Sequence, residues 1–451
     1  MNLKKIPSVN DLLISKKFSK KNIRRELLKN IINKELDLVR KILKNDDSAN
    51  ISKAEIESNI LLRIDSLTNS YLKKIINGSG VILHTNLGRA PLSKAISKNI
   101  YDVISNYSDL EIDITTKTRN SRLDNISQLL NLITGAEKAT VFNNNALALI
   151  VTLASLGKGK EILVSRSESI EIGGGFRIPE IIKLSGLKIV DIGTTNKTYV
   201  RDYEENITKN TVGFLKVHKS NYKIKGFTNE ISIKELSELS KQKNIPIIHD
   251  LGSGTLVNTE KFNLPYEPTV GDSVNDGADI TLFSSDKLLG GPQSGIVIGK
   301  KNLIEKINSY PLSRAARIDK LNLSILNDSL INYLKNDYHE TIPVWNLINL
   351  TQDSLKKRAN DIIDKIPRDT FRIREDIKST IGGGTFPDTF IDSVGISIGK
   401  THKISKLENY FLNLSNPIIG RIENDEFLLD LRTIFEEYDN YLISNINKYF
   451  K

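Results

Sequence analysis

Thr281-Leu282-Phe283-Ser284-Ser285-Asp286-Lys287-Leu288-Leu289-Gly290-Gly291-Pro292-Gln293 is an apolar strand that runs into small polar residues, one lysine and a glycine turn. A lysine at a strand's end, beside backbone freed by glycine, has two readings. It is a solvated surface cation, or it is an amine that joins covalently to an aldehyde cofactor. A second apolar run, Ile247-Ile248-His249-Asp250-Leu251-Gly252-Ser253-Gly254, ends in an acid 37 positions before Lys287. Asp250 either caps the next turn or is the carboxylate that pyridoxal phosphate needs against its pyridine nitrogen, since a protonated ring is the better electron sink. An Asp at one strand end and a Lys at a later one is how the large pyridoxal enzymes arrange that pair.

Phe142-Asn143-Asn144-Asn145-Ala146 opens a helical stretch. Helix N-termini bind anions through free N–H groups and the helix dipole. Asn144, Asn145 and Ala146 therefore suit a cofactor phosphate, although Asn is also a common cap. Ser284 joins them as a cofactor-binding candidate. Arginines form the next group. Arg89 lies in a turn-like segment, and Arg314 and Arg317 are three apart, which the spacing places on one helical face. Such arginines either form surface salt bridges or grip phosphate and carboxylate bidentately. Gly173–Gly175, followed by Arg177, and Gly382–Gly384 mark tight turns whose role is open.

Outward from these motifs, β-branched runs alternate with helical stretches from about residue 75. Expected strands are Val81–His84, Ala139–Phe142, Glu161–Ser165, Lys188–Ile192, Gly213–Val217, Ile245–His249, Asp279–Phe283 and Gly295–Ile298. Helix-like segments include Leu147–Leu156, Glu171–Leu184 and Ile233–Lys243. The alternation predicts an α/β fold with a mostly parallel sheet covered by helices. Helical patterns dominate after about residue 320, and an α+β region follows from about Phe371. The expected division is a helical N-terminal domain over 1–70, a large cofactor-binding domain over 71–330 and a small C-terminal domain over 331–451.

The chain has 451 residues, 39% of them hydrophobic and 26% charged, which excludes wholesale disorder. It has no cysteine. That excludes disulfides, thiolate zinc sites, iron–sulfur clusters and a cysteine nucleophile, and no metal is expected. No apolar run follows Lys4 and Lys5, so no signal peptide is expected, and no stretch is long enough to span a membrane. The cytoplasm is the expected compartment.

Charge is unevenly spread. Residues 1–45 carry 13 basic and four acidic residues, an excess of nine out of a chain total of +10. The basic residues are Lys4, Lys5, Lys16, Lys17, Lys20, Lys21, Arg24, Arg25, Lys29, Lys34, Arg40, Lys41 and Lys44. Asp46 and Asp47 follow at once. Ser8 with Asp11 reads as a helix N-cap. Ile23, Leu27 and Ile31, then Leu28, Ile32, Leu36, Val39 and Leu43, recur at helical spacing. The block is either a solvated helix face or a polyanion-binding module, nucleic acid being the sharper reading.

These residues resemble the bacterial selenocysteine synthases, the L-seryl-tRNA(Sec) selenium transferase family. The matching segments are INGSGVILHTNLGRAPLS at 76–93, FNNNA at 142–146, SRSESIEIGGGFRIPEI at 165–181 and GTTNKT at 193–198. LKVHKSNYKIKGFT at 215–228, DLGSGTL at 250–256, SSDKLLGGPQSGIVIGK at 284–300 and RAARIDKL at 314–321 continue the series. IGGGTFP at 381–387, GRIENDEFLLDLRT at 420–433 and IPSVNDLL at 6–13 complete it. The resemblance implies the fold type I architecture of pyridoxal-phosphate enzymes. It implies Lys287 as the cofactor lysine, Asp286 beside it as a catalytic residue, and Asp250 on the ring nitrogen. It implies that Arg89, Arg314 and Arg317 hold the phosphate of selenophosphate, that the basic N-terminal module binds tRNA, and that the assembly is a decamer built from dimers. The implied reaction converts seryl-tRNA(Sec) to selenocysteyl-tRNA(Sec), by β-elimination of the serine hydroxyl and addition of selenium to an aminoacrylyl intermediate. One departure is Ser285, where that family usually shows Gly.

Two other readings share the scaffold. One is a pyridoxal-phosphate-dependent lyase or aminotransferase acting on a small amino acid or amino sugar. The other is a non-catalytic tRNA-binding protein on a degenerate enzyme fold. The lack of cysteine counts against a cysteine desulfurase, which needs a reactive thiol.

Overall fold

The structure, a computed structural model, describes residues 6–19, 21–45, 51–68, 72–367, 370–399 and 404–450. Lys4, Lys5, Lys20, Asp46 and Asp47 of the charged block lie outside the described residues. The chain falls into two compact units that divide between Lys74 and Ile75.

The first unit is helical: α1 (Val9–Leu13), α2 (Lys16–Ser19), α3 (Arg25–Asn45) and α4 (Lys53–Thr68). Ser8 caps α1 reciprocally with Asp11, its Oγ accepting from the Asp11 N–H at 3.1 Å. α3 buries Leu28, Ile32, Leu36, Val39 and Leu43 at helical spacing in one cluster with Leu12 and with Ile56, Ile60 and Ile64 of α4. The alternative stripe lies at the edge, and its Leu27 is 43% exposed. Burying one stripe leaves Arg24, Arg25, Lys29, Lys34, Arg40, Lys41 and Lys44 in water. Lys17 pairs with Glu57 at 2.6 Å and Lys21 pairs with Asp65. The Lys21–Asp65 pair is solvent-facing and contributes little, whereas Glu57 is buried and needs its partner.

The second unit is α/β. A short strand, β1 (Val81–Leu83), precedes the central sheet. Seven strands then build the central sheet: β2 (Lys138–Phe142), β3 (Glu161–Ser165), β4 (Lys188–Ile192), β5 (Thr211–Val217), β6 (Ile247–Gly252), β7 (Ile280–Ser284) and β8 (Gly295–Gly299). Their order is β2-β8-β7-β6-β5-β3-β4. β8 runs antiparallel to both neighbours, and the other pairs are parallel. All of β7 and β8, and β6 up to its final glycine, are buried, as unbroken apolar runs in a helix-covered sheet require. The helix that follows β2 is α5 (Asn145–Leu156), which packs on the sheet through Ala148, Leu149, Val151 and Leu153.

Beyond the sheet come helices Lys320–Asn332, Pro343–Asn349 and Gln352–Ile363, then a second sheet. That sheet holds β9 (Phe371–Gly382), β10 (Thr385–Ile398), β11 (Arg421–Glu423) and β12 (Glu426–Asp430) in the order β11-β12-β10-β9-β1. The Gly382–Gly384 run is the β9–β10 turn, with φ of 76°, 67° and 72°.

Two expectations are corrected. Val81–Leu83 does not join the central sheet; it pairs in parallel with β9, Val81 opposite Thr380 and Leu83 opposite Gly382. The approach depends on Gly382, where a Cβ would stand 2.6 Å from Val81 Cγ1. Glu171–Leu184 is not one helix. Glu171–Ile172 pairs with Phe176–Arg177 in a hairpin, and the helix starts at Ile178. Gly174 and Gly175 sit at φ 79° and 80°, outside helical space, and Pro179 suits a first turn.

Candidate active site

In an open α/β sheet, ligands bind beyond the carboxyl ends of the strands. There, at the ends of β5, β6 and β7 and the start of α5, the chain encloses a cavity of about 280 Å³. Eight of the ten residues singled out in the sequence line it: Arg89, Asn144, Asn145, Ala146, Asp250, Ser284, Asp286 and Lys287.

β6 carries Asp250 to the cavity wall, where it is 3% exposed and its Oδ1 accepts from Asn145 Nδ2 at 2.9 Å. Burial pushes the Asp250 carboxyl up, against the pull of Asn145 and Lys287. A carboxylate held this way gains by facing a cationic ring nitrogen. Asn144 caps α5, its Oδ1 accepting from the Leu147 N–H at 2.9 Å, so the amide end of α5 faces the cavity as an anion seat. Asn145 Oδ1 is buried without a hydrogen-bond partner. Gly295 lets β8 lie against this turn, because a Cβ there would stand 2.3 Å from Asn144 O.

Lys287 follows β7 in a tight turn and is 6% exposed. Its Nζ reaches to 3.9 Å from where a Cβ on Gly252 would be. The turn is pinned from behind: the Tyr333 hydroxyl contacts the carbonyl oxygens of Leu288 and Leu289 at 3.3 and 2.8 Å, and receives Trp345 Nε1 at 2.9 Å. Ser285, the departure from the resembled family, is fully buried, its backbone needs no positive φ, and its Oγ bonds the Pro292 carbonyl and, at 2.7 Å, Ser294 Oγ. Serine thus ties the turn together where glycine would only fit. Burial depresses the Lys287 amine, as does the nearby Arg89 guanidinium, while Asp250 and Asp286 oppose them. Arg89 Nη1 bonds Asp286 Oδ2 at 2.8 Å.

Arg314 and Arg317 are elsewhere. They line a second cavity with Glu111, Arg119 and Arg122. Nor do they share a helical face: the helix is Pro311–Ala315, and Arg317 forms a β-bridge opposite Phe142. The Asn143 N–H donates to Ala316 O at 3.1 Å, so the chain at 142–144 divides the two cavities. Arg317 Nη1 bonds Glu111 Oε1 at 3.1 Å. Within one chain the three arginines are not brought together.

The sequence reading missed His218, Ser220, Gln293, Ser294 and the hairpin residues Ile172 and Phe176, all on the cavity wall, where Gly173 of the open-role glycine run also lies. His218 Nε2 lies 3.1 Å from Glu267 Oε1. Below it, buried Lys216 pairs with Glu168 and, at 3.0 Å, with Glu230, while Glu168 Oε2 accepts from the Val217 N–H at 2.8 Å. Burial alone would depress Lys216, but the two glutamates outweigh it and hold the amine raised. A lone His after a strand carries no periodic signal, which is why spacing did not find it.

The depressed Lys287 amine gives a testable consequence. A lowered lysine pKa makes neutral amine available from a lower pH. In Arg89→Ala a repelling cation is lost and Asp286 is no longer neutralised, and both changes raise Lys287. The pH midpoint for the rate at which apo chain takes up added pyridoxal phosphate, followed by absorbance, is expected to move upward. An unmoved midpoint would contradict the electrostatic account.

Lysine amine, buried carboxylate and helix-end anion seat in one cavity fit pyridoxal phosphate group by group. Fold and site together define a pyridoxal-phosphate-dependent enzyme of fold type I. Residues 75–435 match the family model of L-seryl-tRNA selenium transferase, and the chain belongs to that family. It is 43% identical to the L-seryl-tRNA(Sec) selenium transferase of Alkaliphilus oremlandii (strain OhILAs), over 87% of this chain and 85% of the relative. To that of Carboxydothermus hydrogenoformans it is 40% identical, over 97% of this chain and 96% of the relative. Among solved structures it is similar in fold to D-glucosaminate-6-phosphate ammonia-lyase, with a TM-score of 0.60 and 19% identity, covering 84% of this chain and 98% of that one.

Proposed function

We propose that the chain converts seryl-tRNA(Sec) to selenocysteyl-tRNA(Sec), with selenophosphate as the selenium donor. The net change replaces the serine hydroxyl with selenium at the β-carbon and releases phosphate. What supports this reading most is the family match over residues 75–435.

Bound pyridoxal phosphate supplies an electron sink for negative charge at the substrate's α-carbon. In this reading Lys287 holds the cofactor and, once displaced, takes the α-proton at Nζ, a task suited to an amine depressed by burial. Asp250 keeps the ring nitrogen protonated. Asn144, Asn145 and Ala146 at the α5 end, with Ser284, seat the cofactor phosphate. Asp286 holds Arg89 at the cavity edge, where the guanidinium meets the donor's phosphate. Arg314 and Arg317 offer a further anion seat in the second cavity. Residues 1–70 bind the tRNA, 71–330 hold the cofactor and 331–451 form the small domain. The assembly is a homodecamer, on the strength of the resemblance, and works in the cytoplasm, where charged tRNA is used. Among the described residues no helix is long and apolar enough to cross a membrane.

The test compares substrates on the cofactor-loaded protein. Its absorbance is expected to change with seryl-tRNA(Sec) and not with free serine or other small amino acids, and selenium is expected to enter the tRNA-bound product when selenophosphate is supplied. A response only to a small amino compound would move the chain to the lyase or aminotransferase reading.

A further inference from the structure

The loop after His218 is unused by the chemistry above. It has no regular structure between Lys219 and Thr228, and it is anchored to the 194–198 turn. Asn196 Nδ2 donates to Phe227 O at 2.6 Å, and Asn229 Nδ2 donates to Thr198 O at 2.7 Å. The anchored loop leaves the Phe227 side chain 90% exposed. Beside it is a cavity of about 320 Å³ lined by Asn196, Lys219, Lys223, Lys225 and Thr228. His218 lines both this cavity and the active-site cavity. Lys219 is held by Glu230 at 3.0 Å, and Lys225 lies 3.9 Å from Asp388. Lys223 is exposed and has no carboxylate within ion-pair distance among the described residues.

A bare aromatic ring with lysines beside it is what single-stranded nucleic acid selects. Bases of any identity stack on the ring, and cations meet the backbone phosphates. The amino acid of a charged tRNA sits on the terminal ribose. When that amino acid enters the Lys287 cavity, the last nucleotides lie close outside it, and His218, which lines both cavities, connects that cavity to the 219–229 loop. We propose that residues 219–229 are the seat of the single-stranded 3′ end of the RNA substrate, with Phe227 stacking on a base and Lys223 and Lys225 neutralising neighbouring phosphates. The proposal rests on the reading of the chain as acting on seryl-tRNA(Sec).

The experiment uses the full, cofactor-loaded chain and a short single-stranded RNA with the tRNA 3′ sequence, its terminal adenine replaced by 2-aminopurine. Stacking quenches that base. Phe227→Ala is expected to weaken binding by about 5-fold to 100-fold and to abolish the quench, while Phe227→Trp retains both. Replacing Lys223 and Lys225 together by Ala is expected to flatten the slope of log affinity against log salt by about 1.4, since each phosphate neutralised on a single strand contributes about 0.7. Unchanged affinity and quench in Phe227→Ala would overturn the proposal. So would unchanged RNA binding with a smaller sedimenting species, which would assign Phe227 to contact with a second copy. If intact seryl-tRNA(Sec) leaves the unaltered protein's absorbance unmoved, the substrate reading fails and this proposal with it. If the tRNA moves the absorbance and Phe227→Ala changes nothing, this proposal fails alone.

Discussion

Lys287→Ala is expected to abolish both turnover and the retention of pyridoxal phosphate through gel filtration. Among the described residues Lys287 is the one lysine that lines the cavity, and the proposed function asks it both to hold the cofactor and to move the α-proton. Loss of a positioned general base alone costs about 10² to 10⁴ in rate, and here the covalent anchor goes as well, so a fall of at least about 10⁴-fold is expected. The fold should survive. Lys287 is 6% exposed, but the turn that carries it is held by Tyr333, Ser285 and Ser294, none of which needs the amine. Far-ultraviolet circular dichroism should therefore match the unaltered protein. Added methylamine is expected to restore part of the proton transfer. Turnover retained without added amine would remove Lys287 from its assigned role.

The second large effect concerns the first unit. A chain starting at Ile75 is expected to keep the cofactor and its absorbance but to bind tRNA at least about 100-fold more weakly. The reasoning is electrostatic. α3 and its approach expose Arg24, Arg25, Lys29, Lys34, Arg40, Lys41 and Lys44, and cations meeting phosphates release condensed counterions. If about six phosphates are neutralised, the full chain's affinity falls by about 10³-fold between about 50 and 200 mM salt. The shortened chain should show a much flatter dependence. Affinity of the full chain indifferent to salt would contradict the phosphate-binding reading of this unit.

Much of the fold was legible because most strands of the central sheet are buried on both faces, as Glu161–Ser165 is from Ile162 onward. The edge strand Lys188–Ile192 is partly exposed, and its β-branched Ile189, Val190 and Ile192 mark it instead. β6 was read as ending at His249, yet it continues through Asp250 to Gly252. A polar side chain reads as a boundary, while the backbone ladder continues regardless of what the side chain is. The glycine runs failed differently. Gly173–Gly175 turns a hairpin inside a stretch whose flanking Ile and Leu have helical spacing, so the apolar periodicity hid the turn. Val81–Leu83 looked like any other strand, and only its long-range partner β9 assigns it to the second sheet.

In the site, Lys287, Asp250 and the Asn144–Ala146 turn were legible as cavity residues because each sits at a junction of strand and turn. Arg314 and Arg317 were legible as cations but not as to place. A spacing of three means a shared face only if a helix continues, and this one stops at Ala315. His218 and Glu267 come from different segments, and no pattern along the chain announces their meeting.

The glycines around the cavity divide it into a wall that tolerates redesign and one that forbids it. At Gly295 any side chain would collide with the Asn144 carbonyl, so the Asn144–Ala146 end of the cavity is closed to enlargement or reshaping by mutation. At Gly173, on the opposite hairpin, an added Cβ meets nothing within 4 Å, and the backbone there is not in the left-handed region. A library built at residue 173 therefore alters one wall of the cavity while leaving the Asn144–Ala146 turn as it is.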